Sequence, residues 1–83
     1  MEVGTWNEIN GELILELVCS NQTEAAEFVL KVARLSDELN HHADITIYQW
    51  RKVRLAICTH DAGNTITDTD HDWTKKVDLI IGQ

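Results

Sequence analysis

Cysteine and long apolar runs are both scarce in this sequence. The two cysteines, Cys19 and Cys58, stand far apart, each inside a short apolar run and neither in a C-x-x-C pair. This arrangement favours buried thiols over a disulfide or a zinc site, and therefore a reducing compartment. The apolar runs fall well below the roughly 18 residues that a membrane-spanning helix needs, and the first residues do not resemble a signal peptide. We therefore expect a soluble, cytoplasmic protein without membrane contact.

Basic residues are scarce as well. Seven Lys and Arg stand against 14 Asp and Glu, which gives a formal net charge of -7. So few and scattered cations cannot neutralise a phosphate track, and this argues against nucleic acid as a partner. An acidic chain suits a neutral or cationic small ligand. The sequence also lacks a Gly-rich phosphate loop, a G-x-S-x-G motif, and a serine or cysteine with an evident neighbouring base.

The length of 83 residues indicates one domain that spans residues 1–83. A chain of this size buries only about 60–65% of the surface that it exposes when unfolded. Its own core is therefore marginal, and we expect it to form a homodimer or a homotetramer.

Alternating apolar residues predict two hairpins. Residues 6–9 and 12–19 flank Asn10-Gly11, the dipeptide most suited to a two-residue hairpin turn. The odd-numbered positions of the second segment carry leucines and a cysteine, so one face of this strand is expected to be buried. Residues 45–48 and 53–60 predict a second hairpin with its turn near residues 48–51.

Two helices complete the predicted fold. Apolar and small residues recur at helical spacing over about residues 22–40, after a capping pair formed by Asn21 and Glu24. Thr67 begins a second amphipathic helix that runs to the C-terminus. The order is β-β-α-β-β-α. It predicts an α+β fold, in which a four-stranded antiparallel sheet carries both helices packed on one face.

Three of the four histidines lie between Asp37 and the end of the second hairpin. His41 and His42 are adjacent, and His60 ends the hairpin. On a continuing helix Asp37 and His41 share a face, so the carboxylate is placed to orient the imidazole. The alternative for this pair alone is a helix end that favours cationic residues near its dipole. Three histidines at one end of a sheet, by contrast, indicate proton chemistry or a metal.

Asp70 and the aromatic residues have structural explanations. Asp70 stands three residues after Thr67, which suits a capping box, and the residues alone favour that role over a catalytic one. The run of residues 68–72 could instead hold a metal, but its spacing matches neither an EF-hand loop nor an H-E-x-x-H helix. Tyr48 and Trp50 are either packing residues or a platform for a flat ligand, and packing is the commoner role.

Several of these features occur together in one family. Its pattern of an acidic residue, His-His, a small residue, an aromatic residue, a later His and a later Asp is matched by Asp37, His41-His42, Ala43, Trp50, His60 and Asp70. Its first strand, T-H-x-x-G loop and last-helix entry are matched by Trp6–Ile9 with Gly11, Thr59–Gly63 and Ile66-Thr67. The chain therefore resembles the pterin-4a-carbinolamine dehydratases, or 4a-hydroxytetrahydrobiopterin dehydratases, over nearly its whole length. It departs from them at Ala43, where proline is usual, and at Asn64-Thr65, which replace a second glycine and lengthen the loop.

The resemblance implies that the protein dehydrates the 4a-hydroxytetrahydropterin left by aromatic amino-acid hydroxylases to the quinonoid dihydropterin, as a step in the recycling of tetrahydropterin. It implies the catalytic residues His41, His42, His60, Asp37 and Asp70. It places along the pterin the residues Asn40, Trp50, Cys58, Thr59 and Asp61. Such an elimination needs no metal and no cofactor.

The resemblance also implies a role for each catalytic residue. His41 and His42 form the acid/base pair, and His60 holds the pterin and assists the leaving hydroxyl. Asp37 orients His41, and Asp70 is a supporting polar group as well as a cap. The main alternative is a non-catalytic interaction or assembly module on the same fold, because fold does not determine function. A third possibility is a metal-binding protein that uses the histidine and aspartate cluster.

Overall fold

The computed structural model describes residues 1–82. Along these residues the strands and helices are β1 Glu2–Val3, β2 Asn7–Ile9, β3 Glu12–Val18, α1 Gln22–Leu39, β4 Asp44–Tyr48, β5 Lys52–Ile57 and α2 Asp68–Ile81. A single 3₁₀ turn over His60–Ala62 follows β5. Within this described part of the chain, neither α1 nor α2 is long and apolar enough to cross a membrane.

The strands form one antiparallel sheet with β3 and β5 at its centre. β4 pairs with the outer side of β5, while β1 and β2 both pair with the outer side of β3. β1 and β2 thus form one edge that is broken at residues 4–6, where the N–H of Gly4 donates to the carbonyl of Glu16 at 3.0 Å. The predicted α+β class and antiparallel sheet are confirmed. The sheet has five strands rather than four, because the first predicted strand continues beyond this break as β1.

Both helices cover the same face of the sheet. That face carries the alternate residues of the central strands, which are all buried: Leu13, Leu15, Leu17, Val53, Leu55 and Ile57. The helices contribute to the same cluster the buried residues Ala25, Phe28, Val32, Trp73 and Val77. Burial of apolar surface at roughly 25 cal/mol per Å² drives this packing. The predicted buried face of β3 and the packing of both helices on it are confirmed.

One buried polar contact joins the two helices near the end of α1. The hydroxyl of Ser36 donates to the carbonyl of Val32 at 3.0 Å and accepts from Nε1 of Trp73 at 3.2 Å. A buried indole N–H needs such a partner, because leaving it unpaired costs free energy. The Trp73 ring also packs edge-on against Trp6, with 6.0 Å between the ring centroids. These contacts hold the first turns of α2 beside the end of α1.

Candidate active site

The end of α1 turns the chain away from the helix. Asn40 adopts a left-handed conformation with a φ of 50°. Its N–H donates to the carbonyl of Asp37 at 3.3 Å, and the N–H of His41 donates to that of Ser36 at 3.0 Å. This is the hydrogen-bond pattern of a Schellman motif, which ends a helix by satisfying its last carbonyls. His41 and His42 therefore lie beyond the helix, in the connection to β4.

The end of β5 lies beside this connection. β4 and β5 are antiparallel and pair Asp44 with Ala56. The start of β4 and the end of β5 therefore lie at the same end of the sheet. Thr59 then pairs with Thr65 through backbone hydrogen bonds of 2.9 and 3.4 Å, which close the loop that contains His60. The sheet topology thus brings His60 close to the histidines after α1.

A pocket of about 290 Å³ opens between these two segments. It is lined by Asn40, His41, His42, Ala43, Asp44, Thr59, His60 and Asp61. All three histidines that the sequence singled out contribute to it. Among residues 1–82, no lysine or arginine lines the pocket, which therefore suits a neutral or cationic molecule better than an anion.

Asp70 and His41 form a dyad at the buried side of the pocket. Oδ1 of Asp70 lies 2.6 Å from Nε2 of His41, and the His41 side chain is only 14% exposed while that of Asp70 is completely buried. The second oxygen, Oδ2, accepts from the hydroxyl of Thr59 at 2.7 Å and from the N–H of Thr67 at 2.8 Å. The contact with Thr67 belongs to the capping box that the sequence predicts at the start of α2.

These hydrogen bonds keep Asp70 ionised. Burial disfavours the carboxylate and by itself raises the pKa of Asp70. The hydrogen bonds from Thr59, His41 and the Thr67 N–H outweigh burial, so the pKa of Asp70 lies below its ordinary value of 3.8. At neutral pH the dyad therefore contains an anionic acceptor, and Nε2 of His41 carries the proton that donates to it.

The other nitrogen of His41 remains accessible. Nδ1 has no hydrogen-bond partner among residues 1–82. Every buried side-chain nitrogen or oxygen in that range has a partner, so Nδ1 is not buried. Nδ1 is therefore accessible to solvent, and His41 is one of the residues that line the pocket. With Nε2–H held by Asp70, the neutral ring has its lone pair on Nδ1, where it can accept a proton from a bound molecule.

Asp37 contacts His42 rather than His41. Oδ1 of Asp37 lies 2.9 Å from Nε2 of His42, and the two side chains are 76% and 60% exposed. The prediction that Asp37 orients His41 is therefore wrong. It assumed that the helical repeat continues, whereas α1 ends at Leu39 and the left-handed Asn40 redirects the chain. An exposed pair of this kind contributes little to stability.

His60 contacts a residue of its own loop. Nδ1 of His60 lies 2.6 Å from Oδ1 of Asn64. Asn64 has a φ of 57° and follows Gly63 with a φ of 81°, so two successive residues are left-handed. The His60 side chain is exposed and lines the pocket.

Two predicted pterin contacts lie outside the pocket lining. Trp50 occupies the turn between β4 and β5, at the opposite end of the hairpin and on the order of 15 Å away at the rise of a strand. It is 57% exposed and stacks with the guanidinium of Arg51. Cys58 is buried. This burial, together with the charge of nearby carboxylates, raises the pKa of its thiol. A pterin contact by either side chain within one chain is therefore not supported, since Trp50 is too distant and Cys58 is covered.

The remaining predicted contacts and some unpredicted residues lie at the site. Asn40 and Asp61 line the pocket, and Thr59 lines it with its hydroxyl directed to Asp70. Sequence reasoning missed Asp44, which carries no motif, and the contact of Asn64, whose only signal was its place in a loop that normally has glycine. In residues 1–82 no three His, Cys, Asp or Glu side chains are grouped as metal ligands.

The fold has close counterparts among solved structures. A crystal structure titled as a transcriptional coactivator/pterin dehydratase from Brucella melitensis aligns with a TM-score of 0.82 at 19% identity, over 94% of this chain and 83% of that one. A pterin dehydratase-like protein, titled as a RuBisCO assembly factor in the α-carboxysome, aligns with a TM-score of 0.77 at 16% identity, over 96% and 93% of the two chains. At these identities the likeness establishes the fold.

Sequence comparison establishes the family. Residues 1–80 match the family described as Pterin 4 alpha carbinolamine dehydratase. A protein of Sulfolobus acidocaldarius named "Putative pterin-4-alpha-carbinolamine dehydratase" is 33% identical over 79 residues, which cover 95% of this chain and 85% of that protein. One of the same name from Sulfurisphaera tokodaii is 45% identical over 58 residues, or 70% of this chain and 60% of that protein. This chain belongs to the pterin 4 alpha carbinolamine dehydratase family.

Proposed function

We propose that this protein catalyses the dehydration of a 4a-hydroxytetrahydropterin to the quinonoid dihydropterin and water. The observation that carries the proposal is the dyad of Asp70 and His41, with a free Nδ1 in a pocket that His42 and His60 also line. A buried carboxylate that holds an imidazole by one nitrogen leaves the other for proton transfer, as in other acid/base sites. Membership of the family supports the same reaction.

The reaction needs two coordinated proton transfers. A proton leaves N5 of the pterin, the electron pair of the N5–H bond forms a C4a–N5 double bond, and the C4a–O bond breaks as the hydroxyl takes up a proton and departs as water. Imidazoles suit both transfers, because their ordinary pKa of about 6.5 lies near the working pH. The two transfers together leave the total number of protons on the enzyme unchanged.

The geometry supports a division of these tasks among the histidines. His41 accepts a proton at Nδ1, while the anionic Asp70 balances the charge that the ring then acquires. His42 completes the acid/base pair from the solvent-exposed side of the pocket, where Asp37 orients it and where it exchanges protons between the pocket and solvent after each turnover. His60 holds the pterin and assists the departure of the hydroxyl. All of these groups belong to the protein, and the proposed elimination uses no metal or cofactor.

A direct assay tests this function. Purified protein is expected to accelerate the loss of the 4a-hydroxypterin absorbance over its spontaneous decay in buffer. The His71→Ala variant is expected to give the same acceleration as the wild type, because His71 is exposed on α2 outside the pocket lining. A protein that gives no acceleration over buffer would contradict the dehydratase proposal and favour the second candidate.

The second candidate is a non-catalytic interaction or assembly module. Two observations favour it: the titles of the structural neighbours name a transcriptional coactivator and a RuBisCO assembly factor, and Trp50 is largely exposed at a hairpin tip. Aromatic side chains of this kind are enriched in protein interfaces. The assay above separates the candidates, because a module without catalytic function requires no rate enhancement.

We also propose that the protein forms a homodimer or a homotetramer in the cytosol. Large apolar side chains are exposed on both edges of the sheet, at Ile9 on β2 and Ile47 on β4, and an uncovered edge is a surface for pairing. Both cysteines are free thiols, which suits a reducing compartment. Sedimentation equilibrium checks the assembly, and a monomer throughout the micromolar range would contradict it.

A further inference from the structure

The contact between His60 and Asn64 determines where His60 carries its proton. Oδ1 of an asparagine is a carbonyl oxygen and accepts hydrogen bonds without donating them. At 2.6 Å from Nδ1 of His60, it therefore requires a proton on that nitrogen. In the neutral ring the lone pair is then on Nε2, and in the protonated ring Nδ1–H still donates to Asn64.

The loop holds Asn64 in a conformation that few residues adopt. Its φ of 57° is left-handed, a region that asparagine, aspartate and glycine tolerate and that other residues enter at a cost. The backbone bridge between Thr59 and Thr65 closes the loop on both sides of the pair. Asparagine is thus compatible with this backbone position and supplies an acceptor that glycine lacks.

A distant turn supports the same loop. Gly11, in the Asn10-Gly11 turn between β2 and β3, has a φ of 80°, and a Cβ placed there would lie 3.1 Å from the carbonyl oxygen of Asn64. That separation is closer than side chains normally tolerate. The hairpin turn therefore packs directly against the backbone of Asn64 and limits its displacement. The position of Asn64 is consequently fixed by contacts from two parts of the chain.

We propose that Asn64 is a positioning residue that confines proton exchange at His60 to Nε2. The inference rests on the proposed dehydration. In that reaction the imidazolium of His60 gives its Nε2 proton to the leaving hydroxyl as the C4a–O bond breaks, so that water departs and neutral His60 remains with Nδ1–H on Asn64. His41 accepts the proton from N5. Without Asn64 the partner left to Nδ1 is the Sγ of Cys58 at 3.9 Å, a weak donor and a weak acceptor that permits both tautomers.

Two variants separate the side chain of Asn64 from its backbone conformation. Asn64→Gly keeps the left-handed backbone and removes the acceptor, whereas Asn64→Asp keeps both. We expect two-bond ¹H–¹⁵N correlation spectra of the full chain, at a pH where His60 is neutral, to show the Nδ1–H tautomer in the wild type and in Asn64→Asp. In Asn64→Gly we expect a mixture of both tautomers. An Nε2–H tautomer in the wild type, or an unchanged tautomer in Asn64→Gly, would overturn the inference.

Kinetics test the consequence for catalysis. We expect kcat of Asn64→Gly to fall on the order of tenfold with KM nearly unchanged, a smaller loss than for removing an acid/base group. Asn64→Asp is expected to retain most of the rate. If the tautomer shifts in Asn64→Gly but kcat does not, the positioning role is refuted. If the wild type has no dehydratase activity, the proposed function fails, while the spectra still decide whether Asn64 sets the tautomer.

Discussion

Asp70 holds His41 with one carboxylate oxygen, at 2.6 Å from Nε2, and uses the other to cap the helix on which it lies. The Thr67 N–H that Oδ2 accepts is one of the backbone donors that a helix start leaves unpaired. One buried side chain therefore serves both the fold and the candidate site. The two contributions can be measured separately, because one is a rate and the other a free energy of unfolding.

Replacing Asp70 by asparagine is expected to reduce both quantities. The dehydration rate is expected to fall on the order of 10²-fold or more, because His41 loses its anionic partner and its preferred tautomer. The free energy of unfolding is expected to fall by about 1–3 kcal/mol, because a buried hydrogen-bonded group is disrupted. Urea unfolding and the pterin assay measure the two effects. Asp68→Asn is the matched control, since Asp68 lies in the same first turn and is exposed; an equal loss of activity in both variants would contradict the role of the dyad.

Acid stability should depend on Asp70. Because its pKa in the folded protein is lower than 3.8, the unfolded chain binds more protons in this range and the stabilisation declines as pH falls. The contribution is fully present above pH 3.8 and is lost as the pH falls through the lowered pKa. Between about pH 5 and about pH 2, the wild type is therefore expected to lose more stability than Asp70→Asn. Urea titrations at each pH give the free energy of unfolding of both proteins. An equal dependence of that free energy on pH in the two proteins would refute the prediction.

His41 is expected to contribute more to the rate than His71, the histidine that lies outside the pocket lining. His41→Ala should reduce kcat on the order of 10²-fold or more, the usual scale for a general acid/base group. His71→Ala, which removes an exposed histidine from α2, should leave kcat unchanged. Steady-state kinetics with both variants measures the contrast. Wild-type activity in His41→Ala would exclude the proposed proton transfer at Nδ1.

Gly11 is expected to be sensitive to a single methyl group. Gly11→Ala places a Cβ at a left-handed backbone position and 3.1 Å from the carbonyl of Asn64, so the free energy of unfolding should fall by about 1–2 kcal/mol. Gly82→Ala is the control, because its nearest contact is 3.5 Å and its φ of -76° is ordinary. Thermal unfolding of both variants provides the comparison. Similar stability in the two variants would show that the turn does not constrain the loop.

Chelator treatment is expected to leave the dehydration rate unchanged. The proposed elimination uses only imidazole and carboxylate groups, and no three candidate ligands are grouped within residues 1–82. The measurement is the pterin assay before and after dialysis against a chelator, followed by dialysis against buffer alone as a control. A rate that disappears with the chelator and returns with added divalent metal would favour the metal-binding alternative.

The sequence was sufficient to predict the main elements and the convergence of three histidines at one end of the sheet. Alternation and helical spacing are local patterns, so they predicted β3, α1 and the cap formed by Thr67 and Asp70. The convergence of His41 and His60 followed from the antiparallel order of β4 and β5. The break at residues 4–6 was not predicted, because it depends on the close approach of Gly4 to Glu16 across the sheet.

The pairing of carboxylates with histidines could not be predicted from spacing. Asp70 and His41 are 29 residues apart, and they meet only because α2 packs against α1. The pairing of Asp37 with His42 depends on the left-handed backbone of Asn40, which a regular helical repeat does not anticipate. Trp50 matched a family position in the chain, but the length of β4 places it at the other end of the hairpin. These outcomes depend on tertiary packing and not on local propensity.

The double use of Asp70 has an evolutionary consequence. A lineage that abandons catalysis still gains stability from the helix cap, so selection for folding alone would retain this aspartate. His42 and His60 are exposed and have no comparable role in packing, so the same lineage is free to lose them. If the proposed dehydration holds, an aspartate at this position therefore carries little information about activity within this fold, whereas exposed histidines at the positions of His42 and His60 carry more.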